Sequence, residues 1–366
     1  MKNVLITPLD WGLGHATRCI PIIDELLNRD CNVLIGGCGD SLALLKIEFP
    51  QLTFISLPAY HPVYPLTGSM VWNMLKQLPK FLSAIKKEHA AIEQIVKSSK
   101  IDVIISDNRY GCWSAAVPSV FITHQTNVLL PKKIKWLTRL VRKVNLMLIR
   151  RFSVCWIPDF PDGRSLSGKL TSLGNKSHSI RVRYIGSLSR FTQHPTKGIL
   201  YDVLCILSGP EPQRTEFEKI AVDGLVRSGL RHYIVRGVVS EQNNPSTTFS
   251  GTNFLNGSDL QAIIDQSDYV LARSGYSTIM DLAKLGKKAI FVPTPGQTEQ
   301  EYLAARLRTK AIAFSVAQRD FDMMTAWNSA QSYTGFNQFP GDVHLLTEAI
   351  HEIVPVGATP QMQQPI

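Results

Sequence analysis

The chain has 366 residues, of which 44% are hydrophobic and 19% are charged. This composition excludes an intrinsically disordered protein and leaves room for two domains of ordinary size. The formal net charge of +10 is uneven, because residues 1–195 hold 25 Lys and Arg against 12 Asp and Glu, whereas residues 196–366 hold 14 against 17. The positive first half predicts contact with an anionic surface, which is a membrane, a nucleic acid or a phosphorylated substrate.

Six cysteines without a C-x-x-C pair lie mostly in apolar segments. This pattern favours reduced core thiols in a cytoplasmic protein over a disulfide framework or a zinc site. The N-terminus leads directly into a strand pattern, so we expect no signal peptide. No run reaches 18 uncharged apolar residues, so we also expect no membrane-spanning segment.

Short β-rich apolar runs alternate with helical patterns, which predicts an α/β fold with parallel sheets and helices on both faces. The predicted strands are 2–7, 32–36, 53–57, 101–106, 118–123, 153–157, 181–185, 202–207, 232–236, 269–272 and 289–292. The predicted helices are 17–29, 73–98, 215–228, 258–265 and 277–285. A polar stretch at 186–200 predicts a linker between an N-terminal domain (1–185) and a C-terminal domain (201–354), before a disordered tail (355–366).

The loop after the first strand contains Gly12, Gly14 and His15. Ligands of parallel sheets bind at the carboxyl ends of strands, and the two glycines allow a tight turn that a ligand can approach. The dinucleotide motif G-x-G-x-x-G fails because Thr17 stands at its third glycine. At a helix N-terminus His15 is predicted to be a neutral general base. Local packing of this histidine is the alternative.

Two further loops of the N-terminal domain place polar side chains directly after apolar strands. These residues are Asp107, Arg109 and Tyr110 in the first loop and His124, Gln125 and Asn127 in the second. Their position predicts side chains that reach into the cleft and meet a polar ligand. Ordinary polar turns, with an Asn cap in the second loop, explain them equally well.

The strand 202–207 ends at a turn made by Ser208 and Gly209. Thr215 and Glu218 match a capping box for the helix that follows. A helix N-terminus after a Ser-Gly turn is suited to bind an anion.

The segment 270–304 gives the strongest signal, with a strand, an Arg-Ser-Gly turn, a helix, a strand and a loop rich in Gly, Gln and Glu. Ser274 and Gly275 would present backbone N–H groups and a hydroxyl to a phosphate. Asp281 lies too far into the helix for a cap and suits a vicinal diol such as a ribose. Gln300 and Glu301 offer further hydroxyl partners.

This segment resembles the donor site of family 28 glycosyltransferases. Their R-S-G-x-x-T-x-x-E pattern is matched by Arg273 through Asp281, with Thr278 at its threonine. The resemblance implies that Asp281 holds the ribose hydroxyls with a side chain one methylene shorter. It also implies that the Gln-rich loop that reaches the donor sugar corresponds to residues 298–302, which include Glu299.

The likeness extends more loosely to other loops. Residues 186–190 resemble a family linker whose arginine, here Arg190, lies by the diphosphate. Residues 124–127 resemble a segment that faces the acceptor, and Phe254–Leu255 resemble a pair that frames the uracil. The family's glycine-rich N-terminal loop is reduced here to residues 11–15, and its donor loop is replaced by residues 208–212.

The resemblance implies two facing Rossmann-like doubly wound domains (the GT-B fold) with a central cleft. It implies an inverting, metal-independent transfer from a nucleotide sugar, most simply a UDP-sugar, to an acceptor hydroxyl that is lipid-linked or belongs to the cell envelope. No cofactor is expected. His15 is the expected base and Asp107 the alternative. The expected donor side comprises Gly14, Arg190, Ser208, Gly209, Leu255, Arg273, Ser274, Gly275, Thr278, Asp281, Glu299, Gln300 and Glu301.

Residues 131–151 carry eight Lys or Arg and no acidic residue. Ile134, Leu137, Leu140 or Val141, Val144 and Leu148 recur at helical spacing, which predicts a helix that packs its apolar face inside and presents basic residues outside. Such a surface favours peripheral binding to the inner face of the cytoplasmic membrane, with an ordinary domain helix as the alternative. Nucleic acid is disfavoured, since Trp136 is the one aromatic residue among these charges.

Two other functions remain open at this point. A nucleotide-sugar epimerase on the same frame would bind the same donor without an acceptor. A non-catalytic partner subunit would keep the donor site and show no dependence on His15. An NAD-dependent dehydrogenase is disfavoured by Thr17.

Overall fold

The computed structural model of the chain describes residues 1–60, 77–130, 132–172, 180–193, 198–209, 211–238, 249–337, 339 and 343–355. Within these residues the strands form two parallel sheets, the first with the order β3-β2-β1-β4-β5-β6-β7. Its strands are β1 (Asn3–Pro8), β2 (Asn32–Gly37), β3 (Thr53–Ser56), β4 (Val103–Asp107), β5 (Ser119–Ile122), β6 (Val154–Ile157) and β7 (Val182–Tyr184). The central strands are continuous apolar runs because helices cover both faces of the sheet.

The second sheet has the order β10-β9-β8-β11-β12-β13. Its strands are β8 (Tyr201–Ile206), β9 (His232–Val235), β10 (Gly251–Thr252), β11 (Ser267–Ala272), β12 (Lys288–Phe291) and β13 (Phe314–Ser315). In each sheet the strand order reverses beside the first strand of that sheet, β1 or β8. The loops that follow these strands therefore lie where open α/β sheets bind ligands.

The helices connect the strands and pack on the sheets. They are α1 (Leu13–Leu27), α2 (Gly39–Glu48), α3 (Leu78–Ser98), α4 (Thr138–Ile149), α5 (Gln213–Ser228), α6 (Gly257–Asp265), α7 (Tyr276–Leu285), α8 (Thr298–Thr309), α9 (Met323–Ala330) and α10 (Val343–Ile353). The helix α7 ends at Gly286, whose left-handed backbone (φ 65°) is the usual glycine stop signal. The helix α10 returns to the first domain, where Arg29 donates to the Thr347 carbonyl oxygen.

Two local expectations are wrong. The helix α5 begins at Gln213, two residues before the expected capping box, and the Thr215 backbone N–H donates to the Glu211 carboxylate instead. Residues 298–309, expected to begin in a loop, form α8. The predicted helix 73–98 is described from Leu78, and residues 73–76 lie outside the described residues. The tail 356–366 also lies outside them, and the exact domain boundaries stay predictions.

All six cysteines are free thiols, as expected, and five of them are buried. The largest hydrophobic cluster contains residues of both sheets, such as Val4 and Val270, so the two domains share part of their core. Among the described helices, none combines the length with the apolar character that crossing a bilayer demands.

The segment 131–151 differs from its predicted form. A 3-10 turn (Lys132–Leu137) precedes α4, and the break at Ile134 changes the phase of the helical pattern. The buried apolar side chains are Ile134, Leu146 and Ile149. The expected inner residues Leu140 and Val144 are instead exposed, together with Trp136 and Met147.

Gly14 is one point where the two domains meet near the site. Ser277 Oγ on α7 donates to the Gly14 carbonyl oxygen at 3.2 Å, and a Cβ added at Gly14 would lie 2.7 Å from that Oγ. Ser277 therefore fills the space on this side of Gly14, and the predicted contact of Gly14 with a donor stays a prediction.

We expect Gly14→Ala to lower the free energy of unfolding by about 1–3 kcal/mol, because the added methyl group must displace Ser277. The double variant Gly14→Ala/Ser277→Ala should recover part of this loss. Gly163→Ala is the matched control, since its added Cβ meets nothing within 4 Å. Urea unfolding measures all three, and equal stability of Gly14→Ala and Gly163→Ala would contradict the tight contact.

Candidate active site

The helix α1 carries two site residues one turn apart. It begins directly after Gly12, whose positive φ of 100° turns the chain from β1 into the helix. His15 and Arg18 are three positions apart and so share one helix face. This face lies against the carboxyl end of β4, where Asp107 ends the strand.

Asp107 is fully buried and holds this arrangement together. Arg18 Nε donates to both carboxylate oxygens at 2.9 Å, and Arg18 Nη2 donates to Oδ1. His15 Nδ1 lies 2.8 Å from Oδ2. Burial acts to raise the pKa of Asp107, but the Arg18 charge and the hydrogen bonds from His15 and Arg18 outweigh it and hold this pKa below its usual range. Asp107 is therefore an ionised acceptor and not a free proton acceptor for a substrate.

His15 is the group of this cluster that meets the cleft. Its pKa is lowered, first by burial and then by the Arg18 charge, and Asp107 offsets only part of the shift. The imidazole is therefore neutral near pH 7. Its Nδ1 lies within hydrogen-bond distance of ionised Asp107, which can only accept, and of Arg18 Nη2, which can only donate. Nε2 makes no hydrogen bond to the described part of the chain.

His124 extends the cluster across the cleft. Its Nδ1 lies 3.3 Å from Arg18 Nη1, and its Nε2 lies 2.8 Å from the Glu299 carboxylate on α8. Gln125 Nε2 donates to the same carboxylate, and the His124 ring stacks on Tyr276 at 4.3 Å between centroids. Burial acts to raise the pKa of Glu299, but His124 and Arg18 lower this pKa by more than burial raises it. The Glu299 carboxylate is therefore ionised. Acceptor-side and donor-side residues thus touch directly.

The start of α7 forms the other wall of the cleft. Ser274 is buried and donates from Oγ to the Gln300 carbonyl oxygen. The helix starts after Gly275 without a side-chain cap, so its first backbone N–H groups are suited to an anion. Thr278 lies on the same first turn.

Asp281, one turn further along α7, accepts a 2.6 Å hydrogen bond from Ser189 Oγ. Burial raises the pKa of Asp281 to about 6, although Ser189 and the charge of Arg190 act in the opposite direction. Arg190 itself lies 3.6 Å from Glu48 and over the Phe191 ring. The linker is therefore tied to the residue that the resemblance assigns to the ribose.

Gln300 and Glu301 occupy the first turn of α8 and hold the loop before it. Gln300 Oε1 accepts from the Thr294 backbone N–H at 2.8 Å, and Glu301 Oε1 accepts from the Gly296 N–H at 3.0 Å. Their predicted contact with a sugar stays a prediction. The structure shows them as supports of a loop at the cleft rim.

Arg109 and Tyr110 do not reach into the cleft as expected. Arg109 is fully buried, and its Nε donates to the buried Glu88 carboxylate at 2.6 Å. Tyr110 donates from its hydroxyl to Asn145 Oδ1 on α4 at 2.8 Å. Both side chains turn into the N-terminal domain because their hydrogen-bond partners lie there, and a contact of either with an acceptor stays a prediction that this geometry does not support.

Arg273 is also internal, which contradicts direct contact of its side chain with a donor. The side chain is 1% exposed and donates to the carbonyl oxygens of Val292, Pro293 and Gln213. Its guanidinium lies 4.2 Å from the Phe217 ring centroid. Arg273 therefore fastens the loops that surround the site.

The remaining predicted residues lie at the rim. Ser208 and Gly209 form an exposed turn after β8, with Gly209 at φ 111°. Leu255 is partly buried against the shared core. Asn127 is held by the Lys169 and Leu170 carbonyl oxygens, which fix the loop after β5.

Sequence reasoning missed Arg18, Ser189 and Tyr276. The signal for Arg18 was its helical spacing from His15, combined with a charge inside the otherwise apolar run that follows Thr17. Ser189 and Tyr276 carry no such signal, because their roles depend on contacts between distant segments.

Comparison with known proteins gives one consistent result. The model described as glycosyltransferase family 28 C-terminal domain matches residues 232–325. An uncharacterized glycosyltransferase of Methanosarcina acetivorans is 25% identical over 319 residues, which cover 83% of this chain and 82% of that protein. A Pectobacterium carotovorum protein is 22% identical over 345 residues, 88% of this chain and 86% of that protein. Its name is UDP-N-acetylglucosamine--N-acetylmuramyl-(pentapeptide) pyrophosphoryl-undecaprenol N-acetylglucosamine transferase.

Among solved structures, Phytolacca americana UGT2 complexed with UDP-2fluoro-glucose and pterostilbene aligns with a TM-score of 0.61 at 14% identity. The alignment covers 97% of this chain and 100% of that one. This likeness and the two parallel sheets confirm the predicted fold of two facing α/β domains.

We expect Arg109→Met to lower the free energy of unfolding by about 3–5 kcal/mol, because the Glu88 carboxylate would stay buried without its partner. Glu88→Gln/Arg109→Met, which removes both charges, should recover most of this loss. Arg231→Met is the control, since Arg231 lies at the surface and solvent screens its pair with Asp202, so its loss should change stability little. A stable Arg109→Met protein with reduced activity would instead restore the acceptor-side role.

Proposed function

We propose that this chain, a GT-B glycosyltransferase that resembles family 28, catalyses an inverting transfer from a UDP-sugar to an acceptor hydroxyl. The premise of this proposal is its match to the C-terminal domain of that family. The observation that carries the proposal is the position of His15, whose Nδ1 lies 2.8 Å from ionised Asp107 and whose Nε2 has no hydrogen-bond partner in the described part of the chain. A neutral imidazole in this position is a general base.

In the proposed reaction the acceptor hydroxyl gives its proton to His15 Nε2. The oxygen attacks the anomeric carbon of the donor sugar on the face opposite the diphosphate. The bond from that carbon to the diphosphate oxygen breaks as the new bond forms, and UDP leaves with the electron pair. One displacement inverts the configuration at the anomeric carbon.

The departing diphosphate needs positive charge, and the start of α7 offers it. The backbone N–H groups after Ser274 and Gly275, together with the exposed turn at Ser208 and Gly209, are the proposed donors. Arg190 is proposed to contribute from the linker. We propose that these groups make a metal ion unnecessary.

A uridine nucleotide is the donor that the relatives favour. The Pectobacterium relative carries UDP-N-acetylglucosamine in its name, and the Phytolacca structure holds UDP-2fluoro-glucose. Asp281 is proposed to accept hydrogen bonds from the ribose hydroxyls, replacing the one from Ser189. This acceptance requires the ionised carboxylate, so donor binding should weaken as the pH falls through about 6, the pKa that burial gives to Asp281.

A membrane-bound acceptor is supported by the surface of residues 132–151. Trp136, Leu140, Val144 and Met147 form an exposed apolar row along the 3-10 turn and α4. Exposed basic side chains flank this row, namely Lys135, Arg139, Lys143, Arg150 and Arg151. Apolar side chains bounded by cations fit an anionic bilayer surface. We propose that the enzyme binds the cytoplasmic membrane here and takes a lipid-linked acceptor.

We expect His15→Gln and Asp281→Asn to separate chemistry from donor binding. His15→Gln should lower kcat by about 10²–10⁴-fold through loss of the base, with UDP affinity unchanged in calorimetric titration. Asp281→Asn should weaken UDP binding and remove the loss of affinity below pH 6. Turnover is measured as UDP release from UDP-sugars with lipid-linked acceptors.

Asp320→Ala, on an exposed 3-10 turn of the same domain, is the control for both measurements. Wild-type turnover in His15→Gln would remove His15 from the mechanism. Failure of the wild-type protein to bind UDP would refute the proposed donor.

We expect the wild-type protein to float with vesicles that contain anionic phospholipid and not with neutral vesicles. Trp136→Ser/Val144→Ser should abolish flotation, because it interrupts the exposed apolar row. Ile47→Ser, which removes an equally exposed apolar side chain on α2, is the control and should float like wild type. Absence of the wild-type protein from both vesicle fractions would contradict the membrane proposal.

A further inference from the structure

We infer that Arg18 is a positioning residue for the transfer, because its guanidinium holds ionised Asp107 toward His15 Nδ1 and donates to His124 Nδ1. Through Asp107 it keeps the His15 proton on Nδ1, and directly it keeps the His124 proton on Nε2. The inference rests on the proposed function, in which His15 Nε2 must be bare to accept a proton.

Arg18 is the hub of the cluster. Its side chain is 2% exposed, and each of its three nitrogens has a partner. Nε and Nη2 donate to Asp107, and Nη1 lies 3.3 Å from His124 Nδ1. Such a fork cannot be supplied by lysine, whose single ammonium group lacks the planar geometry.

Two groups compete for one nitrogen of His15. Its Nδ1 lies 2.8 Å from Asp107 Oδ2, an acceptor, and 2.7 Å from Arg18 Nη2, a donor. If Nδ1 carries the proton, it donates to Asp107 and leaves Nε2 bare. If Nδ1 is bare, it accepts from Arg18, and the proton on Nε2 prevents His15 from acting as a base.

Ionised Asp107 decides this competition in favour of the first arrangement. A bare Nδ1 would place its lone pair against a carboxylate oxygen, which is repulsive. By engaging Asp107 through Nε and Nη2, Arg18 keeps that carboxylate ionised and oriented toward His15. The same guanidinium would enforce the unproductive tautomer if Asp107 could no longer accept.

His124 receives the opposite tautomer from the same guanidinium. Arg18 Nη1 donates, so His124 Nδ1 must accept and its proton lies on Nε2. That proton is donated to the Glu299 carboxylate on the donor-side domain. One buried cation thereby sets the base on α1 and the hydrogen bond that crosses the cleft.

The charges around His15 support this assignment. The titratable groups that face it are Arg18 on α1, Asp107 on β4, His124 after β5 and, across the cleft, Glu299. Burial and then Arg18 lower the pKa of His15 by more than Asp107 raises it. The base therefore stays unprotonated in neutral solution.

Nitrogen-15 NMR of the full chain with labelled histidine rings tests the inference without reference to activity. We expect His15 with its proton on Nδ1 and His124 with its proton on Nε2. His15→Gln and His124→Gln identify the two sets of signals. Asp107→Asn should move the His15 proton to Nε2, because Arg18 then donates to Nδ1. Arg18→Met/Asp107→Asn should return it to Nδ1, since the competing donor is gone and the Asn oxygen accepts.

A wild-type spectrum with bare His15 Nδ1, or one with the proton of His124 on Nδ1, would overturn the inference. An Asp107→Asn ring spectrum identical to that of wild type would overturn it as well. The double variant has no uncompensated buried charge, so its spectrum can be read even where Asp107→Asn folds poorly.

Kinetics adds a second readout. Asp107→Asn should lower kcat by about 10²–10⁴-fold, and the double variant should exceed Asp107→Asn at least about tenfold, at unchanged KM for the donor. If Arg18 only stabilised the fold, the double variant and Asp107→Asn should have the same kcat per folded molecule. If wild type transfers no sugar while the ring spectra are as expected, the proposed function fails and the tautomer assignment stands.

Discussion

The buried pair of Arg18 and Asp107 is the constraint on which the site depends. Two charges withdrawn from water are tolerated only when each compensates the other through hydrogen bonds of good geometry. The side chains are 2% and 0% exposed, so neither can turn toward solvent. The pair therefore fixes α1 against the end of β4, and His15 and His124 take their positions from this junction.

The second sheet enters the site through contacts that cross the cleft. The Tyr276 ring stacks on His124, and its hydroxyl donates to the Pro158 carbonyl oxygen at 2.8 Å. Thr298 donates to the Leu129 carbonyl oxygen at 2.9 Å. These contacts involve the first turns of α7 and α8, the elements that would meet a donor. The first turns of α7 and α8 are thus held by direct contact against the loops that follow β5 and β6.

The sequence allowed the fold to be predicted well and the site only in part. Continuous apolar runs located the strands because both faces of each sheet are covered, and His15 and Asp107 followed from their positions after strands. The direction of a side chain at a strand end was not predictable in this way. Arg109 turns inward because Glu88, on a distant helix, is buried beside it. The sequence around Arg109 does not indicate that Glu88 is its partner.

The basic residues of the positively charged first half, residues 1–195, lie partly in the interior and partly on the surface. The buried cations Arg18 and Arg109 are each neutralised by a buried carboxylate, so the excess resides on the exposed face. Residues 132–151 contribute five exposed cations, which are Lys135, Arg139, Lys143, Arg150 and Arg151. The break at Ile134 shifts the helical phase and places the row from Trp136 to Met147 on the same face. Hydrophobic burial and electrostatic attraction can therefore act together where this surface meets an anionic bilayer. If the apolar row were turned inward, only the charges would attract the bilayer.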